Sequence, residues 1–500
     1  MRLALSAFTV LEIAQATMSL SPNAALPPHL PADDGMDPET RRRALRRLLL
    51  RAGLGALIVL IMMAAYALYY PERMPASIGL LVEDITGANP RPVQLERPPV
   101  APLSALALLG KQIFYDTSLS ASGKQSCATC HSPSHSYGPP NNLAVQLGGP
   151  HMADEGYRPP PSLAYLYRQS SFSIGPDLND ADAAVNLDAE AAAAQGVQRA
   201  QKTAGDAPSA PAIVPQGGLF WDGRADTLQA QALGPLLNSV EMANKDENEV
   251  AQKFAHSKYA SSFKALFGDR VFARPKLLIS EAMSAVSRYQ IEDSSFHAFT
   301  SKYDYWLEGR ARMTQAELHG MRLFNDPNKA NCAGCHLSQV SPDGLPPVFT
   351  DTQYEALGVP RNRTLAQNKD PKFFDMGVCG PFRSDIAKQT QYCGMFLTPT
   401  LRNTAERGVY FHNGVYHNLK DVMDFYNLRN TAPDKIYPRN ANGKVEKFDD
   451  LPAAYQANID VADAPFDRKA GDANALTGQE IDDIIAYMKT LSDGYHVSSN

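Results

Sequence analysis

The stretch Cys127-Ala-Thr-Cys130-His131 returns, with one residue exchanged, as Cys332-Ala-Gly-Cys335-His336. Two thiols at this spacing reach both vinyl groups of a porphyrin, and a histidine directly after the second thiol ligates the iron from the proximal side. A zinc knuckle would need a second pair of ligands at comparable spacing for each cysteine pair, and a thioredoxin-like redox pair does not need His in the same place twice. The two motifs therefore predict two covalently bound c-type hemes, with His131 and His336 as iron ligands. They use four of the six cysteines. The remaining Cys379 and Cys393 are separated by a short segment containing Pro and Gly. In an oxidising compartment they read as a disulfide closing a surface loop, worth ~3 kcal/mol in the chain-entropy model.

The export that such chemistry requires is written upstream. Arg41, Arg42, Arg43, Arg46, Arg47 and Arg51 precede an uncharged apolar run from Ala52 to Tyr70, which as a helix rising ~1.5 Å per residue nearly spans a bilayer core. Arginines before the run, and Pro71, Glu72, Glu83 and Asp84 after it, place the N-terminus in the cytoplasm and the rest of the chain in the periplasm. The run is expected to be a retained inner-membrane anchor. Ala65-Tyr66-Ala67 also fits a cleavage site, which makes a removable signal segment the alternative. A buried core helix fits the basic flank and the Pro stop poorly. Residues 1–51 are expected to be a disordered, basic cytoplasmic N-terminus, with Met36 a second candidate start. The net charge of -6 over 500 residues gives no reason to expect nucleic acid.

Around the motifs the chain repeats itself. Gly110-Lys-Gln-Ile-Phe-Tyr-Asp116 precedes the first and Gly320-Met-Arg-Leu-Phe-Asn-Asp326 the second, each reading as the end of an amphipathic helix. Each half closes on a helix, Leu278 to Gln290 and Ile481 to Leu491. Thr314 with Glu317, and Thr477 with Glu480, have capping-box spacing. Few runs alternate with period two, so the fold is expected to be mainly α, two cytochrome c-like domains each around one heme. Their bounds are set at residues 101–312 and 313–495, after a linker at 71–100. Residues 170–215, rich in Ala, Asp, Gln and Ser, read as a long insertion with at most one helical turn, either a lid or docking element or an inert surface excursion.

Beyond these features the chain resembles the bacterial diheme cytochrome c peroxidase superfamily, in its MauG-like branch, from about Pro102 to Leu491. The resemblance is carried by Leu109 to Asp116, Ser126 to His131, Phe220-Trp-Asp-Gly-Arg224 through Glu241, the second motif, and Thr398 to Asn403 running into Tyr410-Phe-His-Asn-Gly414. It implies that Trp221 lies between the two hemes and that Glu241, in Pro235-Leu-Leu-Asn-Ser-Val-Glu241-Met242, is the catalytic distal acid/base. Gln231 and Pro235 would line the same distal pocket. Singly, these read as a core aromatic, a surface acid and a solvated amide; together they follow the family pattern.

The second heme's distal ligand is where branches of the family differ. Peroxidases fed by small cytochromes have Met there and MauG-like members Tyr, and counting from His412 through Leu419 and Val422 reaches Tyr426. Met423, one turn earlier on a similar face, is the competing ligand. The family's calcium site takes an Asn side chain where this chain reads Pro159-Pro-Pro-Ser162, so only backbone carbonyls near Arg407 and Val409 remain and calcium is doubtful. Neither His135 nor His151 stands where a blocking ligand of the first heme is found, which predicts an open first iron.

The resemblance implies a hydrogen peroxide-dependent diheme oxidoreductase that forms high-valent hemes. Its electrons would come from a periplasmic donor (a small cytochrome, a cupredoxin or a substrate protein) or from a protein side chain. An anionic oxygen ligand at Tyr426 lowers the potential of the second heme, whereas a Met thioether raises it. The reading from another class is a non-catalytic, membrane-tethered diheme electron-transfer cytochrome. Glu241 and the open first iron argue against it.

Overall fold

The computed structural model describes residues 37–69, 76–177 and 213–497, which are mainly helical. It divides into two units, Met1–Met74 and Pro75–Asn500. Of the first unit, the described part is a helix, α1 (Pro38–Tyr69). The helix thus starts inside the stretch expected to be disordered. Arg, Leu and Ala favour helix here, and Arg43 meets Glu39 one turn away at 2.8 Å. Among the described residues no helix is long and apolar enough to cross a membrane. Much of the apolar half of α1 lies outside the residues whose side chains are described, as do the expectations for residues 1–36.

The second unit begins with a correction. Residues 76–100 are not a free linker but dock on the second half of the chain. Their helix α2 (Ala76–Thr86) presents Glu83 and Asp84 to Arg322 at 3.0 and 2.7 Å. The Trp306 indole N–H then donates to the Gly87 carbonyl at 3.0 Å, and the Glu96 N–H to that of Gly344.

The internal repeat has a steric basis. In the first half α3 (Ala105–Phe114) leads to the short helix α4 (Cys127–Cys130). Beyond these come α5 (Leu228–Leu237), α6 (Glu247–Ala255), α7 (Ala260–Phe267) and the long α8 (Pro275–Glu292). A Cβ on Gly110 would stand 1.9 Å from the Ala285 carbonyl oxygen, so α3 and α8 cross at a distance that only glycine allows. The second half repeats the device. After α9 (Lys302–Leu307), which ends the first half, α10 (Gln315–Asn325) is followed by α11 (Leu419–Leu428) and α12 (Gly478–Lys489). A Cβ on Gly320 of α10 would meet the Asp483 carbonyl of α12 at the same 1.9 Å.

The phenylalanine four residues on plays an equivalent part in each half. Phe114 is fully buried edge-on to Tyr137, Tyr289 and Phe296, and Phe324 edge-on to Phe349 and Tyr487. Both capping boxes at Thr314/Glu317 and Thr477/Glu480 form, with each hydroxyl accepting from the third residue and each carboxylate accepting in return.

Strands are few and short: β1 (Leu147–Gly148) with β2 (Asp154–Glu155), β3 (Ser173–Pro176) with β4 (Ile213–Gln216), and β5 (Tyr354–Glu355) with β6 (Phe396–Leu397), all antiparallel. The pairing of β3 with β4 revises the expectation for residues 170–215. The segment leaves and returns through a two-stranded ladder, with Ser173 opposite Gln216, while its centre, 178–212, lies outside the described residues.

A buried ion pair ties α9 to the Thr398–Asn403 stretch. The Arg402 guanidinium donates to both Asp304 oxygens at 2.9 and 2.6 Å and to the Pro347 carbonyl at 2.7 Å, with both side chains at 0% exposure. Burial pushes the Asp304 carboxyl up, but the charge and hydrogen bonds of Arg402 outweigh that and hold it below the usual carboxylate range. Removing one partner of such a pair leaves a buried charge uncompensated. Asp304→Asn is therefore expected to lose about 3–5 kcal/mol in urea unfolding. Asp343→Asn, in the exposed pair with Arg168, should leave stability nearly unchanged, because solvent screens the pair. Equal losses would show that burial does not set the value of the pair.

Candidate functional site

The first motif opens onto a cavity of about 380 Å3 that gathers most of the residues singled out in the sequence. Cys127, Cys130, His131, Trp221, Gln231, Pro235 and Glu241 all line it. His135 and His151 do not. His131 is held by its far nitrogen, whose N–H donates to the Tyr137 carbonyl at 3.1 Å, which leaves Nε2 as the nitrogen that could ligate a metal. Burial lowers its pKa to about 4 against the opposing pull of the Tyr137 and Pro161 carbonyls, which keeps the imidazole neutral as a metal ligand must be.

Glu241 owes its place to the turn after α5. The Asn238 carbonyl accepts from Glu241 N and Ala243 N, and Met242 N donates back to the Pro235 carbonyl. Pro235 itself has no N–H to offer the Gln231 carbonyl one turn back. The β1–β2 hairpin closes on the turn from outside, with Gly149 N donating to the Glu241 carbonyl at 2.8 Å. Burial raises the pKa of the Glu241 carboxyl, while the Arg224 charge and the Asn238 amide pull it the other way.

Trp221 is fixed from both halves of the unit. Its indole N–H donates to the Pro159 carbonyl at 2.9 Å, and its own carbonyl accepts from Leu397 N, in β6, at 3.0 Å. Residues that sequence reasoning did not single out lock this arrangement. Arg158, next to Pro159, donates to both oxygens of Asp375 at 2.7 Å and to Asp222, beside Trp221, at 2.8 Å. Phe382 stacks on Tyr157 and stands under the Arg158 guanidinium, and all three line the cavity. Phe382 is carried by the loop between Cys379 and Cys393, whose sulfurs are bonded across a Cα separation of 5.0 Å. No local spacing signals these contacts, since Arg158 and Asp375 lie 217 residues apart.

The second motif has the same imidazole lock. His336 Nδ1–H donates to the Phe349 carbonyl at 2.9 Å, and burial lowers the ring to about 4. Its surroundings differ from those of the first. Tyr426 is stacked on Phe466 and near Phe411. Burial raises the pKa of its phenol, with Cys335 and Cys332 close enough for their charge to add to the shift. Met423 packs instead among Leu323, Leu419, Ile481 and Ile484, a cluster that Cys332 abuts. Of the carbonyls expected near calcium, that of Arg407 already accepts the Tyr410 hydroxyl at 2.6 Å.

Both motifs thus fit a c-type heme: paired thiols, an imidazole with one nitrogen committed to backbone and, at the first, a lined cavity. Residues 104–312 match the family model described as di-haem cytochrome c peroxidase. The chain is 31% identical over 399 residues to the methylamine utilization protein MauG of Paracoccus denitrificans, covering 78% of this chain and 89% of that protein. It is 26% identical over 336 residues to a cytochrome c551 peroxidase of Nitrosomonas europaea, covering 65% and 76%. Among solved structures, the diheme peroxidase BthA of Burkholderia thailandensis superposes with a TM-score of 0.67 at 32% identity, covering 80% of this chain and 89% of that one. The chain belongs to the MauG-like diheme cytochrome c peroxidase family. It is a diheme peroxidase-like oxidoreductase, an enzyme, and the reading as a non-catalytic carrier is not favoured.

Proposed function

We propose that this chain reduces hydrogen peroxide at the first motif and keeps the second as its electron-transfer partner. The two halves, residues 101–312 and 313–495, would each carry one covalent heme, at Cys127/Cys130/His131 and Cys332/Cys335/His336. The observation that carries the reading is the half-buried Glu241 carboxyl, its pKa raised by desolvation, in the same cavity as the first thiol pair and His131. When bound, heme supplies the iron that takes up peroxide and the redox equivalents of the reaction.

The protein's part is to position peroxide and move its proton. Gln231, buried on the same wall, orients the peroxide by hydrogen bonding. Glu241 would accept a proton from one peroxide oxygen and return it to the other, the proton transfer that O–O cleavage with loss of water requires. Two electrons and two further protons complete two waters. Trp221, held between the halves by Pro159 and Leu397, provides the route between the two motifs. The electrons come from a periplasmic donor of the cytochrome or cupredoxin kind or from a side chain of a substrate protein. The order of arginines and then apolar residues in α1 supports a periplasmic location with an inner-membrane tether.

Tyr426 is assigned as the second distal ligand, supported by its place beside both thiols of the second motif and by the seat of Met423 in an aliphatic cluster. Tyr426→Phe should alter the absorption spectrum of the second heme, and Met423→Leu should leave it unchanged; the reverse pattern would reassign the ligand.

For Glu241 the test is a pH profile. A base must be ionised to accept the proton, and burial has raised the pKa of this one. Peroxide consumption should therefore fall as the pH drops through a value above that of an ordinary glutamate. Glu241→Gln should remove that limb and slow turnover by about 10²–10⁴-fold with both hemes still attached. Unchanged turnover in that variant would rule out Glu241 as the acid/base.

A further inference from the structure

Arg407 is a largely buried cation for which no described residue offers an anion. Its Nε and one terminal nitrogen are shut off from solvent and have no hydrogen-bond partner among the described residues. No carboxylate contributes to its pKa, which burial lowers to about 10 against a small opposing effect of Tyr410. The other deeply buried guanidinium groups are all satisfied. Arg402 has Asp304, Arg158 has Asp375 and Asp222, Arg361 has Asp450, Arg383 has Asp385, and Arg429 has the Leu357 and Asp460 carbonyls. A guanidinium keeps its charge throughout the physiological range, so neutralisation does not relieve the burial. None of the described residues does so, and an acceptor has to be brought in from beyond them.

Its position says what that acceptor is. Arg407 follows the turn Thr404–Glu406, and its own carbonyl is taken by the Tyr410 hydroxyl. Tyr410 belongs to the cluster that Cys332 of the second motif abuts. On the other side, the Arg407 Nε stands 3.6 Å from where a Cβ on Gly138 would be. Gly138 directly follows the residue whose carbonyl holds the His131 ring. The orphaned guanidinium therefore sits between the loop of one heme motif and the cluster beside the other. The prosthetic group that both motifs fit carries two propionate carboxylates.

We propose that Arg407 binds a heme propionate through its guanidinium and so acts as a fixed positive charge between the two heme sites. The inference rests on the diheme reading above. Planar guanidinium and carboxylate groups pair through two parallel hydrogen bonds, a contact that a lysine ammonium reproduces in charge but not in geometry. A positive charge at this place disfavours the ferric state, so its loss lowers the reduction potential.

The test uses the full-length holoprotein, with heme content read by pyridine hemochrome and potentials by spectroelectrochemistry. R407Q should keep both hemes, lower the potential of at least one, and give that potential a new dependence on pH, because the stranded propionate then takes up a proton. R407K should recover most of the potential, and the propionate bending band in its resonance Raman spectrum should still differ from that of the parent. Unchanged potentials and an unchanged Raman band in both variants would overturn the assignment. So would parent potentials that follow chloride or phosphate concentration, since the partner would then be a free anion. Should R407Q not fold, the Raman band of R407K decides alone. A parent protein with no covalent heme would defeat the diheme reading itself, an outcome distinct from either.

Discussion

Three segments far apart in sequence meet on the Arg158 side chain, and the active cavity depends on that meeting. Through Asp375 the arginine holds the strand-and-loop region that ends in the disulfide, and through Asp222 it holds the segment carrying Trp221. Its neighbour Pro159 takes the indole N–H. Asp375 shows how strongly the charges are matched: burial alone pushes it up, yet the arginine keeps it below the usual carboxylate range. Such a network adds little net stability over a well-packed apolar one, but losing one member strands a buried charge. Its effect is to allow a single arrangement of wall, tryptophan and loop.

Around that lock the chain solves one problem twice. Each half crosses two helices at a glycine, buries a phenylalanine edge-on among aromatics, and hands the histidine's Nδ1 proton to a backbone carbonyl. The halves then diverge in what surrounds the motif. The first supplies a carboxylic acid, an amide and a proline-broken helix end around open volume. The second packs a tyrosine between aromatic rings. Equivalent scaffolds with different facing groups give two sites of different reactivity.

How much of this the sequence disclosed depended on how local the determining chemistry is. The thiol-thiol-histidine motifs, the capping boxes and the repeated glycine are set by neighbours a few residues away, and they could be read directly. Glu241 and Trp221 became legible only through resemblance, because an acid after a turn and a lone indole carry no signal of their own. Arg158, Asp375 and Phe382 were not legible at all, since their pairing spans more than half the folded unit. Residues 71–100 were expected to be a linker, and the pairing of Glu83 and Asp84 with Arg322 was not legible because it joins residues more than 200 positions apart.

The electrostatics of the two motifs complete the asymmetry. Near Cys335 the field is negative, with Glu355, Asp351, Asp463 and Asp460 all acting on its thiol. Burial lifts Asp351 to about 7, so part of that charge is neutralised, but the sign is unchanged. At the first cavity the charged lining includes Arg158 and Arg224 as well as Glu241, and the arginines offset the acid. The fold therefore places a single carboxyl with a raised pKa at one motif and a group of carboxyls at the other. Trp221 is hydrogen-bonded to Pro159 on one side and to Leu397 on the other, so it ties the two halves together between these unlike surroundings.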